Sequence, residues 1–213
     1  MKKIKKTFLI CLVILSLILS QSFAASAYVK IGSYQLSGGV GQSGNKTRYY
    51  WYDTNSFDST WQSRVNQAMS DWCHTGSQGC GVYTSVWFKR TTTKSSSVVD
   101  CYSSNSLGTG VLGVTSFYKG TGSNSVQIAP SKGNWVWAKI MIATSRLDKM
   151  NPAYTNAKKI AVIEHEIGHA FGLDENNSKT GSIMCQTSSG RTAVRPSADD
   201  CNGVNSIYGG YNP

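Results

Sequence analysis

Two histidines four residues apart, with a glutamate directly after the first, constrain this chain more than any other feature. They are His165, Glu166 and His169, within the stretch EHEIGHAFGLDE that runs from position 164 to 175. Residues four apart stack one turn above each other on a helix, so the two imidazoles can hold one ion if this stretch is helical. Glu166 then lies roughly a quarter-turn away. From there it can reach an attacking water without becoming a ligand, which suits a general base in metal-assisted hydrolysis. Zinc is the ion this donor set favours. Gly172, seven residues after His165, is free to take positive φ, end the helix and turn the chain back toward the ion. Position 175 is then the next place a ligand can come from.

Further along, Ser182, Ile183 and Met184 place a methionine in a turn after the helix, and Pro196 to Asp200 opens a last helical pattern ending near Ile207 and Tyr208. Together these residues resemble the metzincin clan of zinc endopeptidases, and within it the matrixin-like, secreted bacterial type. That family carries His-Glu-x-x-His-x-x-Gly-x-x-His and then a Met-turn beneath the metal. The chain matches at His165, Glu166, His169, Gly172 and Met184, and departs at the third ligand, where Glu175 replaces histidine. The resemblance is strong over residues 156–208 and looser from residue 48 onward.

The resemblance implies an α+β, zincin-like fold: a twisted mixed sheet packed with an early helix and an active-site helix, then a C-terminal subdomain with the Met-turn and a final helix. It implies zinc on His165, His169 and Glu175, with Glu166 as the catalytic base and Met184 as an apolar floor. Protein or peptide substrates and a monomeric state go with it. Register favours Glu175 over Asp174, yet a looser turn after Gly172 would bring the shorter carboxylate inward, so Asp174 stays open. Glu164 points to another face of the helix and reads as a surface or supporting residue. The departure at position 175 also leaves room for an exported binding or signalling protein that keeps the fold with weak or no turnover.

Residues 1–27 read as a signal peptide: Lys2, Lys3, Lys5 and Lys6, an apolar run from Phe8 to Leu19, and small residues at Ala25, Ser26 and Ala27. Cleavage falls before Tyr28 or after Ala24, and the run is too short for a good membrane span. The expectation is a secreted protein without stable membrane insertion, whose residues 28–213 form one metzincin-like catalytic domain. Of its charges, 17 are basic and 11 acidic, giving +6. The basic residues are scattered and form no nucleic-acid motif, so no nucleic-acid partner is expected. Residues 28–45 are rich in Gly and Ser and read as an irregular lead-in with a short extended piece; they hold no cysteine that could mask the zinc and are too few for a folded inhibitory segment.

Five cysteines follow the leader: Cys73, Cys80, Cys101, Cys185 and Cys201. Export permits disulfides, and the odd count leaves one thiol over. Cys73 with Cys80 is the easiest local pair, and a Cys185–Cys201 bridge is expected to tie the segment after the Met-turn to the last helix. Only three histidines occur, and His74 at the end of the early helix reads as a capping or surface residue, so no second histidine-built zinc site is available.

The other elements follow from pattern. Residues 47–52 read as a strand. Asp58 or Ser59 caps a helix whose Trp61, Val65, Ala68, Met69 and Trp72 recur at helical spacing. Residues 82–93, 98–103, 125–129 and 135–144 read as strands. Residues 107–118 are extended but interrupted by Gly108, Gly110 and Gly113, and residues 110–115 are either a strand beside the cleft, as in matrixins, or a glycine-rich hairpin. Thr155 or Asn156 caps the helix that carries the histidines.

Overall fold

The structure, a computed structural model, describes residues 28–42 and 46–211. The expected signal peptide at 1–27 lies outside the described residues. Six strands form one mixed sheet: β1 (Arg48–Tyr52), β2 (Phe88–Arg90), β3 (Val99–Ser103), β4 (Gly113–Lys119), β5 (Val126–Ile128) and β6 (Trp137–Ile142), in the order β2-β1-β3-β6-β4-β5. The first four in that order run parallel, and β4 is antiparallel to both β6 and β5. Among the described residues four α-helices accompany the sheet: α1 (Ser59–Cys73), α2 (Thr144–Asp148), α3 (Asn156–Ala170) and α4 (Ala198–Tyr208). No described helix is long and apolar enough to cross a membrane.

Helix starts sit where the capping residues put them. Asp58 accepts the Trp61 amide at 2.8 Å, and Thr155 accepts that of Lys158 at 3.2 Å. The α1 stripe of Trp61, Val65, Ala68, Met69 and Trp72 is buried throughout. Burial of each large member contributes about 1.5–3 kcal/mol relative to exposure. It packs on α3, where Trp72 donates its indole N–H to the Glu164 carbonyl at 3.0 Å. Alternation along β6 turns Ala138, Ile140 and Ile142 into the same core. Helix α3 thus has neighbours on several sides, and every residue from Ile160 to Gly168 is buried.

Three expectations change. Of residues 82–93 only Phe88–Arg90 is strand, because the preceding backbone pairs elsewhere: Thr84 bridges Gly210, and Trp87 bonds to both Val40 and Arg48. The segment from residue 28, read as an irregular lead-in, seats Leu36 and Val40 fully in the core and pairs Lys30 with Leu173. Neither expected cysteine pairing forms. Cys185 Sγ lies near the carbonyls of Gln186 and Ser189, and Cys73 Sγ lies against the Phe88 backbone. Cys201 faces Cys80, with sulfurs 3.3 Å apart and both present as thiols. The reason is that α4 packs on the loop after α1, where Asn205 also donates to the Tyr83 carbonyl and Ser85 to that of Gly209.

Candidate active site

Helix α3 presents His165 and His169 one turn apart, and their ring orientations are set by backbone carbonyls. His165 Nδ1 lies 2.9 Å from the Ile183 oxygen, and His169 Nδ1 lies 2.8 Å from the Leu173 oxygen. A carbonyl can only accept, so each Nδ1 carries a proton, and in the neutral ring each Nε2 offers its lone pair to another partner. Those Nε2 atoms are 3.1 Å apart. Glu175 Oε1 stands 3.5 Å from each.

What brings Glu175 there is the turn after the helix. Gly172 takes φ 95°, and the chain then pairs with residues 29–31: Ile31 donates to the Gly172 carbonyl and Asp174 to that of Val29, each at 2.9 Å. Asp174 folds its carboxylate back onto the Glu175 amide at 2.9 Å. The three-residue cluster within reach of a common ion is therefore His165, His169 and Glu175, without Asp174. Zinc bonds of ~2.0–2.1 Å in a tetrahedron place ligand atoms ~3.3 Å apart, and the observed edges bracket that value, so the residues present fit the ion.

Charge in the cluster follows from its geometry. Burial by itself would raise the Glu175 carboxyl, but hydrogen bonds from His165 and His169 outweigh it and hold the group at about 2. Burial would lower His169, yet the hydrogen bond to Glu175, the field of Glu166 and the Leu173 carbonyl bring it to about 9. A carboxylate that draws positive charge onto the His169 imidazole would do the same for a cation placed between the two rings.

Glu166 is buried at 5% exposure and points at strand β4. Thr115 Oγ1 lies 2.8 Å from Glu166 Oε2 and 2.9 Å from the Glu166 carbonyl. Gly113 gives the carboxylate room, since a Cβ there would stand 2.6 Å from Oε1. Strand β5 covers only Phe117 to Lys119, so Gly113 to Ser116 have no strand on their outer side among the described residues. The extended segment expected at 110–115 is thus a strand from Gly113 onward, and Gly110 to Leu112 form the adjoining cleft wall.

Met184 is buried, its thioether packed so closely on Gly168 of α3 that any Cβ there would overlap it. Asp200, in the first turn of α4, holds this turn in place. It accepts from Ser182 Oγ at 2.5 Å and from the Ile183 amide at 2.9 Å, and also closes the capping box with Ser197. From the sequence, residues 196–200 are expected only to open a helix; the Ser-x-x-Asp spacing marks the cap but not the contacts with Ser182 and Ile183. Glu164, read from the sequence as a surface or supporting residue, is fully buried, and its two oxygens lack a hydrogen-bond partner among the described residues. Burial first, and then the Asp71 carboxyl, push its pKa well above the usual range. His74 is exposed and turns back on its own helix, with Nδ1 2.8 Å from the Ser70 carbonyl.

Comparison with known proteins adds three findings. The matrixin peptidase family model matches residues 57–209. No curated protein sequence matches the chain. Among solved structures, the GM1-bound form of the ECX AB5 holotoxin is similar in fold over 87% of this chain and 90% of that one, with TM-score 0.50 and 18% identity. High choriolytic enzyme 1, a hatching enzyme zinc-protease from Oryzias latipes (Medaka fish), aligns over 75% of this chain and 56% of that one, with TM-score 0.33 and 14% identity.

Proposed function

Because this chain belongs to the matrixin family of peptidases, we propose that it is an exported, monomeric zinc endopeptidase. The observation that carries the reading is the convergence of His165 Nε2, His169 Nε2 and Glu175 Oε1 beside a carboxylate, Glu166, held at an open strand edge. His165, His169 and Glu175 would hold the zinc, which when bound supplies the positive charge that polarises a peptide carbonyl and acidifies the attacking water. Glu166 accepts the proton from that water and delivers it to the leaving amine. Thr115 keeps the Glu166 carboxylate turned toward the cleft through this exchange. A peptide lying extended along Gly113 to Ser116 would add a strand to the sheet, its main chain recognised and its side chains directed into the cleft. Export rests on the leader at residues 1–27.

Glu166→Gln tests the reading. It should keep zinc at one per chain while peptide cleavage falls by ~10²-fold or more. Removal of zinc by a chelator should abolish cleavage, and added zinc should restore it. Wild-type turnover in Glu166→Gln would refute the assigned base. A zinc-loaded wild-type protein that binds peptides without cutting them would favour an exported binding protein on the same fold.

A further inference from the structure

The cleft that contains His165, Glu166 and Glu175 encloses about 450 Å³. Both acidic side chains that line it belong to the chemistry just described. Away from them, the charged groups are cations. Arg146 donates to the carbonyls of Leu107, Gly108 and Val111. Arg191 is placed differently. It lines the cleft and also a neighbouring hollow of about 290 Å³, which shares Tyr154 and Thr187 with the cleft, adds Lys158 and has no acidic lining residue.

The hydrogen bond Arg191 makes within the described residues runs from Nη1 to the Ile183 carbonyl at 3.2 Å. No ion pair among the described residues includes it. Glu164 and Glu166 act on it only as more distant charges, and desolvation lowers its pKa. Partly burying a guanidinium without a paired anion is costly, and its planar fork matches a carboxylate through two parallel N–H bonds. Val162, Leu112 and Tyr154 along the same cleft offer apolar contact for the stem of such a group.

We propose that Arg191 is a specificity-determining residue: it receives a substrate carboxylate next to the scissile bond, so the cleft selects peptides that are acidic at that place. The proposal rests on the peptidase reading and names the substrate class for it. The carboxylate is either an Asp or Glu side chain or the free end of the substrate chain.

The test uses synthetic peptide pools, random except for one central residue fixed as Glu or Gln and capped at both ends, with a third pool left uncapped at the C-terminus. Zinc-loaded wild type should cut the Glu pool at least tenfold faster than the Gln pool, with cuts mapped by mass spectrometry to one position beside the fixed residue. Arg191→Gln should bring that ratio below about threefold, and Arg191→Lys, which keeps the charge, should retain more of it. Arg191 shares the Ile183 carbonyl with His165, so a change in zinc affinity would slow both pools alike and cancel in the ratio. Preference confined to the uncapped pool and lost in Arg191→Gln assigns the carboxylate to the chain end; preference in the capped pools assigns it to the side chain.

Equal rates for Glu and Gln pools in wild type, with no gain from a free C-terminus, overturn the proposal, as does a ratio unchanged in Arg191→Gln. If wild type cuts nothing, the peptidase reading fails separately. Binding of the same pools to zinc-loaded Glu166→Gln then decides the pocket, since at least tenfold tighter retention of a carboxylate-bearing pool supports it and equal retention sinks it. The wild-type comparison stands even where an Arg191 variant does not fold.

Discussion

Replacing Gly113 by alanine should disable the base while leaving the fold intact. A Cβ at this position would lie 2.6 Å from Glu166 Oε1, 2.7 Å from Cγ and 2.8 Å from Cδ. Ordinary contact begins near ~3.4 Å, so the carboxylate must retreat by about 0.8 Å or swing away. Either movement strains the Thr115 bond of 2.8 Å that orients it. A general base needs the water within ~2.6–3.2 Å, and misplacement by ~1 Å costs on the order of 10²-fold in rate. Overpacking itself costs about 1–3 kcal/mol, which a domain with this core can absorb. The expected result is a ~10²-fold fall in kcat/KM on a quenched peptide, with bound zinc unchanged and a modest shift in the urea midpoint. Gly108→Ala serves as the control, because its Cβ meets nothing closer than Val111 Cγ2 at 3.7 Å. Activity of Gly113→Ala within twofold of wild type would show that the carboxylate does not act from its observed position.

Glu175→Ala should weaken zinc binding at least ~tenfold, whereas Asp174→Ala should leave it near wild type; the reverse order in a zinc titration would move the third ligand to Asp174. Asp148 supplies a pH-dependent term. Burial would raise its carboxyl, but Lys159 at 2.6 Å and Trp61 Nε1 at 3.0 Å, with Arg64 nearby, hold it below the usual value. A folded pKa below the unfolded one means stabilisation above ~pH 4 that disappears as pH falls through the folded value. The gap in urea midpoint between wild type and Asp148→Asn should therefore be wide at pH 7 and close toward pH 2, and a gap constant with pH would reject this. Peptide mapping without reductant, after exposure to oxidised glutathione, should find Cys80 linked to Cys201. The adjacent Cys201 sulfur lowers the pKa of the Cys80 thiol, which favours the reactive thiolate, and a bridge from Cys185 to Cys201 instead would contradict the packing of α4.

The sequence by itself determined the features that depend on neighbours a few residues away. The helical spacing of His165 and His169, the helix starts at residues 58–59 and 155–156, and the buried α1 stripe are all local relations, and each was legible because one helical turn dictates who meets whom. Tertiary structure alone decided whether Glu175 or Asp174 enters the cluster, since pairing of Val29 and Ile31 with the chain after α3 sets the direction of that turn. It also decided that Thr115 and Gly113 flank Glu166, that Asp200 clamps the Met184 turn, that Cys80 meets Cys201 across 121 residues of sequence, and that Glu164 is sealed under α1. Those contacts come from sheet order and helix docking. Spacing along a chain carries no information about which distant segment closes over it, whereas burial of apolar surface in one shared core selects a single answer.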